Sequence, residues 1–307
     1  MIIPPKLKSG DIVAIVAPSR KVSPAQLDAA LIVLESWGLT TKLGNNIFSD
    51  RHSYLAGTDD ERCEDFQSMI DDPQVKAIFC ARGGYGSTRI VEDIDFTPLK
   101  RSPKWVIGFS DITAFHLRLL SVDVASMHAT MPIFFGREEA QASVETIGKA
   151  LFDGECNIVF PAGPYNRPGK ASGQVLGGNL SLIADALNTP SDPQMDGKIL
   201  IVEEVDEYYY KLDRMFTQLR RTGKLRNLAG LVIGHMTDIK NSDLDFGETV
   251  FDIVTHAVRD YNYPLAFSFP SGHANPNDAW IQGAPAVLNI GSNSSTLAYP
   301  NIYSPNE

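Results

Sequence analysis

The residues best placed to do chemistry sit in Lys104-Trp-Val-Ile-Gly108-Phe-Ser110-Asp111-Ile112-Thr-Ala114. An apolar strand runs into a sharp turn with a serine at its apex, and a helical pattern follows. Such a turn exposes the hydroxyl, and the first amides of the helix face an oxyanion. The spacing departs from G-x-S-x-G, because Ile112 stands where the last glycine falls. Serine is also a favoured N-cap, so the segment alone leaves Ser110 as either a nucleophile or a cap.

A serine nucleophile needs a base, and the base needs an orienting group. Of the six histidines, His116 and His256 lie in helical patterns, whereas His128 and His235 follow apolar runs. His273 and His52 fall outside those patterns, and His273 lies in the loop Phe269-Pro-Ser-Gly272-His273-Ala-Asn-Pro276. Loops carry catalytic side chains disproportionately, though a loop histidine also serves structural hydrogen bonds. Acids cluster at Glu203-Glu204-Val-Asp-Glu207, the end of an apolar strand. Successive strand side chains point to opposite faces, so only one of Glu203 and Glu204 faces a given site. Periodicity does not choose between them.

The loop Arg82-Gly83-Gly84-Tyr85-Gly86 lies between a strand and a helical pattern. Its glycines allow close approach of backbone amides to an anion, as an oxyanion donor or simply as a tight turn. It has neither the G-x-G-x-x-G spacing nor a P-loop lysine. The sequence contains no H-E-x-x-H and no histidine or cysteine pairs at ligand spacing, so it does not support a metal hydrolase.

The elements that must position these groups alternate through the first part of the chain. Ile12 to Ala17 reads as a buried strand. Ser23-Pro24-Ala25-Gln26 is a capping-box start, continued by Leu27, Ala30, Leu31 and Leu34 and closed by Gly38. Thr58 caps a helix through Met69, Val75 to Ala81 is a strand, and Trp105 to Gly108 is a third, followed by a helix from Asp111 to Leu120. This alternation predicts a parallel sheet flanked by helices, with ligands at the carboxyl ends of its strands. Both the glycine loop and the Ser110 turn lie there. The pattern weakens from Pro132 to Ala171. Beyond it, a strand from Lys198 to Val205, a helix from Tyr208 to Thr222 and a strand from Leu228 to Gly234 precede a β-rich tail.

At 307 residues, two domains or one large one are expected. The net charge of −10 argues against a general nucleic-acid binder. Three scattered cysteines, Cys63, Cys80 and Cys156, fit no disulfide framework and point to a reducing compartment. No apolar run approaches the ~18 residues of a membrane span, and the N-terminus lacks the apolar stretch of a secretory signal. A cytoplasmic protein is expected.

Taken in order, these segments resemble the LD-carboxypeptidase family of serine peptidases, which includes muramoyl-tetrapeptide carboxypeptidases and microcin C immunity peptidases. The resemblance is carried by Ala17-Pro18-Ser19, Arg82-Gly-Gly-Tyr-Gly-Ser87-Thr-Arg89, Gly108-Phe-Ser-Asp-Ile-Thr-Ala114 and Gly177-Gly-Asn-Leu180. It continues through Ile199 to Glu207 with Asp213-Arg-Met215, and ends at Gly272-His273. The family's phenylalanine-glycine-histidine stands here as Ser271-Gly272-His273.

The resemblance implies a Ser-Glu-His triad of Ser110, Glu203 and His273, with oxyanion amides from Gly84, preferred over Gly83, and Asp111. It implies an α/β fold. Residues 1–135 form a Rossmann-like parallel-sheet domain with the nucleophile, 136–171 a crossing, and 172–307 a smaller β-rich, swivelling β/β/α-like domain with the acid and base. The expected activity is release of terminal D-alanine from murein tetrapeptides through an acyl-enzyme, by a homodimer without cofactor or metal. Activity would rise as His273 loses its proton, at pH ~6.5 for an unperturbed imidazole. Arg82 and Arg89, near the glycine loop, are the candidates to read the substrate carboxylate. The alternatives are detoxification of microcin C-like peptide-nucleotides by the same chemistry, or a non-catalytic Rossmann-type binding protein.

Overall fold

The computed structural model describes residues 1–300, 302 and 303. Five strands open the chain: β1 (Ile12–Val16), β2 (Thr40–Leu43), β3 (Val75–Cys80), β4 (Trp105–Gly108) and β5 (Ser126–His128). Eight follow: β6 (Ile158–Pro161), β7 (Gly169–Asn179), β8 (Ile199–Val205), β9 (Gly230–Thr237), β10 (Leu265–Ala266), β11 (Trp280–Gln282), β12 (Pro285–Ile290) and β13 (Ser294–Ala298). The α-helices are α1 (Pro24–Ser36), α2 (Asp59–Asp71), α3 (Thr113–Ser121), α4 (Gln141–Gly148), α5 (Leu180–Asp185), α6 (Tyr209–Arg221) and α7 (Val250–Ala257).

The first sheet has the order β11-β5-β4-β3-β1-β2, parallel throughout except for the antiparallel edge strand β11. Its buried runs, such as Trp105-Val106-Ile107, carry the continuous apolar signature of a sheet covered on both faces. Local sequence sets the covering helices. The Gln26 side chain accepts the Ser23 amide at the start of α1, at 2.9 Å. At α2 the Thr58 hydroxyl and the Glu61 carboxylate cap reciprocally. The Lys104 ammonium is buried against the carbonyls of Met69 and Asp72, where it satisfies the last turn of α2.

The second sheet, β10-β9-β8-β7-β12-β13-β6, is parallel from β10 to β7 and antiparallel from β7 to β6. One of its faces packs on α5, α6 and α7 through Leu180, Phe216 and Ile253. The other merges with the first sheet in a shared core holding Trp105, Val175, Phe269, Trp280 and Leu288. A separate core on the far face of the first sheet gathers Phe66, Phe96 and Phe115.

Residues 136–171, read from the sequence as a crossing, carry α4 and β6, and β6 pairs with β13 at the edge of the second sheet. In the opposite direction, Trp280–Gln282 leaves the tail and joins β5 of the first sheet. The chain thus passes between the sheets more than once, and the two halves are stitched by backbone pairing as well as by packing.

Candidate active site

Strand β4 ends at Gly108, where a side chain would press on Ile112 and on the Cβ of Cys80 at 3.2 Å. The backbone then reverses. Phe109 is extended and Ser110 sits in the left-handed region at φ 64°. A non-glycine residue there costs of order 1–3 kcal/mol and marks a side chain aimed by its surroundings. One tight turn, Ser110–Ile112, then feeds α3. The Ser110 hydroxyl does not cap the helix; it meets the Nε2 of His273 at 2.9 Å.

The other imidazole nitrogen of His273 lies 2.7 Å from Glu203 Oε2. Glu203 is wholly buried on β8, and its second oxygen has no partner among the described residues. Its neighbour Glu204 points to the opposite face, as alternation requires. There it accepts from Asn179 Nδ2 at 2.9 Å, the Ser181 amide at 2.8 Å and the Ser181 hydroxyl at 2.7 Å. Burial pushes the Glu204 carboxyl up, against these hydrogen bonds, which hold it down. Three-dimensional context makes the choice that periodicity left open.

His273 is presented by a loop with little room. Gly272, at φ 126°, packs on Glu203 so closely that a Cβ would lie 2.9 Å from both its Cβ and its Oε2. The Gly272 amide donates to Asn277 Oδ1 at 2.9 Å. The Ser271 hydroxyl accepts from the Trp280 indole at 2.9 Å and bonds His128 Nε2 at 3.0 Å. Burial pulls the pKa of His273 down, but the hydrogen bond and charge of Glu203, with the charge of Glu204, outweigh it and the net shift is upward. The buried imidazoles His116 and His128 go the other way. Burial takes His116 down to about 4 and His128 well below its ordinary value, so both are neutral at pH 7. His116 supports the turn through the Gly108 carbonyl, 2.8 Å from its Nε2.

The glycine loop lies on the serine. A Cβ on Gly83 would stand 3.2 Å from Ser110 Oγ and 3.3 Å from the Asp111 amide. The following amide, that of Gly84, and the amide of Asp111 thus belong to the same small region. Asp111 also has a role that its sequence context hid. Its buried carboxylate accepts from the Ser87 amide at 2.8 Å and from the Ser19 hydroxyl, and Ser19 and Ser87 meet at 2.9 Å. One carboxylate therefore ties together the loops after β1, β3 and β4. Ser19 and Ser87 fall within the recognised sequence motifs, but nothing in their spacing announced that they converge.

Of the two arginines singled out, Arg89 is engaged by Asp59 through Nε and Nη2, at 3.0 and 2.5 Å. Arg82 instead lines a cavity beside the glycine loop, with a 3.3 Å bond to the Lys21 carbonyl. A smaller cavity of about 80 Å³ beside His273 is lined by Phe109, Phe134 and Arg137. Among the described residues, no group of three or more His, Cys, Asp or Glu side chains is arranged to hold a metal ion, and no helix is long and apolar enough to cross a membrane.

Known proteins match this arrangement along the chain. Residues 13–129 match the LD-carboxypeptidase N-terminal domain and residues 172–288 the LD-carboxypeptidase C-terminal domain. A Bacillus subtilis (strain 168) protein named "Probable murein peptide carboxypeptidase" is 35% identical over 303 residues, covering 96% of this chain and 93% of its own. The crystal structure of muramoyltetrapeptide carboxypeptidase from Oxalobacter formigenes superposes with a TM-score of 0.85 at 28% identity, over 94% of this chain and 98% of its own. The microcin C7 self immunity protein MccF, in complex with aspartyl sulfamoyl adenosine, shares the fold at a TM-score of 0.84 and 18% identity, over 97% and 98% of the two chains. With both domain patterns in place and a relative of this similarity spanning nearly its full length, the chain belongs to the LD-carboxypeptidase family and is a hydrolase of the muramoyltetrapeptide carboxypeptidase kind.

Proposed function

We propose that the protein is a serine peptidase that removes the terminal D-alanine of murein tetrapeptides, by a Ser110-His273-Glu203 triad and an acyl-enzyme. The observation that carries this reading is the unbroken chain from Ser110 Oγ to His273 Nε2 at 2.9 Å and from His273 Nδ1 to Glu203 at 2.7 Å. His273 takes the Ser110 proton as the hydroxyl attacks the carbonyl of the L-centre. Glu203 holds the proton on Nδ1, which leaves Nε2 free to act as base, and stabilises the imidazolium that forms. The imidazolium then gives its proton to the departing amine of D-alanine as the C–N bond breaks. Water, deprotonated by the same histidine, releases the acyl group and regenerates Ser110.

The oxyanion of each tetrahedral intermediate is assigned to the amides of Gly84 and Asp111, a contribution of roughly 3–4 kcal/mol per donor in comparable sites. Asp111 does this while its side chain fixes the loop that carries Gly84. Within this reading residues 1–135 bring the nucleophile and residues 172–307 the acid and base, and the enzyme works in the cytoplasm as a homodimer in cell-wall recycling. Higher identity to a murein carboxypeptidase than to the microcin-type protein supports a murein substrate over a peptide-nucleotide.

The test is mass spectrometry of L-Ala-γ-D-Glu-meso-diaminopimelate-D-Ala incubated with the wild type and with Ser110→Ala. Loss of one D-alanine with the wild type alone is expected. Loss with both proteins would remove Ser110 from its role. Loss with neither, together with cleavage of an aspartyl sulfamoyl nucleoside, would transfer the enzyme to the peptide-nucleotide reading.

A further inference from the structure

Behind the glycine loop lies a second cavity, of about 460 Å³, that the triad does not use. Its wall brings together Arg20, Lys21 and Arg82 with Tyr54 and the first turn of α1; Asp50 is the one acid on it. Neither Arg20 nor Arg82 is within ion-pair distance of a carboxylate among the described residues. The Arg20 guanidinium lies over the Tyr54 ring, 5.3 Å from its centroid. Arg82 is half-buried, and its Nε is wholly buried without a partner. A buried donor left in that state is costly, and two unpaired guanidinium groups facing one cavity repel each other. Burial and the charge of Arg20 both act to lower the pKa of Arg82. An anion in the cavity would relieve both costs at once, and the N-terminus of α1 adds its own positive end.

The cavity is also close to the nucleophile. A Cβ on Gly83 would lie 3.2 Å from Ser110 Oγ, whereas a Cβ on Gly84 would lie 3.1 Å from both Arg20 Cβ and Tyr54 Oη. Adjacent Cα atoms are about 3.8 Å apart, so the cationic wall begins roughly one residue from the reacting carbonyl. That is the reach of a carboxylate on the residue next to the scissile bond or on the residue that contributes its carbonyl.

We propose that Arg20 and Arg82 form a carboxylate-binding subsite that selects the peptide substrate. This rests on the peptidase reading above, with Arg20 in place of the Asp59-bound Arg89 as partner of Arg82. The guanidinium fork matches the two oxygens of a carboxylate. A murein tetrapeptide offers two within reach: the terminal carboxylate of D-alanine, and the side-chain carboxylate of diaminopimelate.

The experiment compares Arg20→Gln, Arg82→Gln and, as the competing arginine beside His273, Arg137→Gln on three substrates. These are the tetrapeptide, its C-terminal amide, and the tetrapeptide with L-lysine in place of diaminopimelate. With the tetrapeptide, each of the first two variants should lose about 30-fold or more in kcat/KM, mainly through KM. The analogue lacking the carboxylate that is read should lose less than about threefold, so the amide and lysine arms name the source. Equal losses on all three substrates would overturn the subsite, as would selectivity that appears in Arg137→Gln instead. Calorimetric binding of the same peptides to Ser110→Ala, with and without Arg20→Gln, separates this inference from the peptidase reading. If the wild type cleaves nothing but carboxylate-dependent binding through Arg20 persists, the subsite stands and the peptidase reading falls. Binding indifferent to the carboxylates overturns the subsite even if cleavage is found.

Discussion

Glu203→Gln is the substitution whose outcome the geometry defines most narrowly. In a triad whose acid is held by several donors, an amide replacement has to turn its NH2 toward the histidine and so inverts the tautomer, at a cost near 10⁴ in rate. Here the second oxygen of Glu203 has no hydrogen-bond partner among the described residues, so no donor is displaced when the glutamine carbonyl stays on Nδ1 and its NH2 takes the other position. What is lost is then the charge. With about 4 Å between carboxylate and imidazolium centres and an effective dielectric of about 20, that charge is worth roughly 4 kcal/mol to the protonated intermediate. The expected loss is therefore about 10³ in kcat, short of the tautomer-inverting value. The pH profile gives a second reading. His273 is raised in the wild type because Glu203 and Glu204 outweigh burial, and only its neutral form is a base, so the rising limb of kcat/KM lies above pH 6.5. In Glu203→Gln burial is opposed by less, and the limb moves toward acid. The assay is D-alanine release from pH 5 to 9 for both proteins. A loss below tenfold, or a limb that stays or moves toward alkali, would refute the orienting and charge-stabilising role of Glu203.

Three further perturbations follow from single contacts. Ser110→Gly removes a left-handed non-glycine residue, so activity should vanish while stability to urea rises by up to about 1 kcal/mol. Asp111→Ala strands the buried Ser87 amide and Ser19 hydroxyl, and should lower unfolding free energy by about 2–4 kcal/mol, read as a lower urea midpoint with unchanged slope. Gly178→Ala places a Cβ against the Thr113 side chain at a φ of 126°, and should both lower the thermal midpoint and slow turnover by disturbing the contact between β7 and α3.

How much of this was legible in the sequence depends on how local each feature is. The capping residues of α1 and α2 and the apolar runs of β3, β4 and β8 act within a few positions, and the parallel sheet they imply is present. The strand-turn-helix at Ser110 was visible, but the left-handed backbone that separates it from an ordinary cap was not, since serine favours caps for independent reasons. Glu203 and Glu204 are equivalent to any periodic argument. They differ only because Asn179 and Ser181, at the start of α5, satisfy one of them and leave the other for His273. Strand β11 is three residues long and pairs with β5 across some 150 positions of sequence, so no local signal predicts it. Arg20 escaped notice for a similar reason. It stands between Ser19 and Lys21 as an ordinary surface cation, and only the fold brings it to Arg82.

The stitching between the two halves bears on catalysis as well as stability. A proposed triad divided between two freely hinged domains would depend on their closure for its assembly. Here Ser110 and His273 stand 2.9 Å apart, and His273 and Glu203 2.7 Å. The cause lies in the joints. The Asn179 amide donates to the Thr113 hydroxyl at 3.0 Å, so the strand end beside Glu203 is fastened to the helix that follows Ser110. Gln282, on the strand that joins the first sheet, bonds the amide and carbonyl of Gly177 on β7 of the second. Glu203 pairs in register with Asn179, so each of these bonds acts within one or two residues of Glu203 and helps fix it relative to Ser110. With the proposed triad fastened in this way, selection among substrates falls to the subsites around it, which is where the proposed arginine pair beside the glycine loop lies.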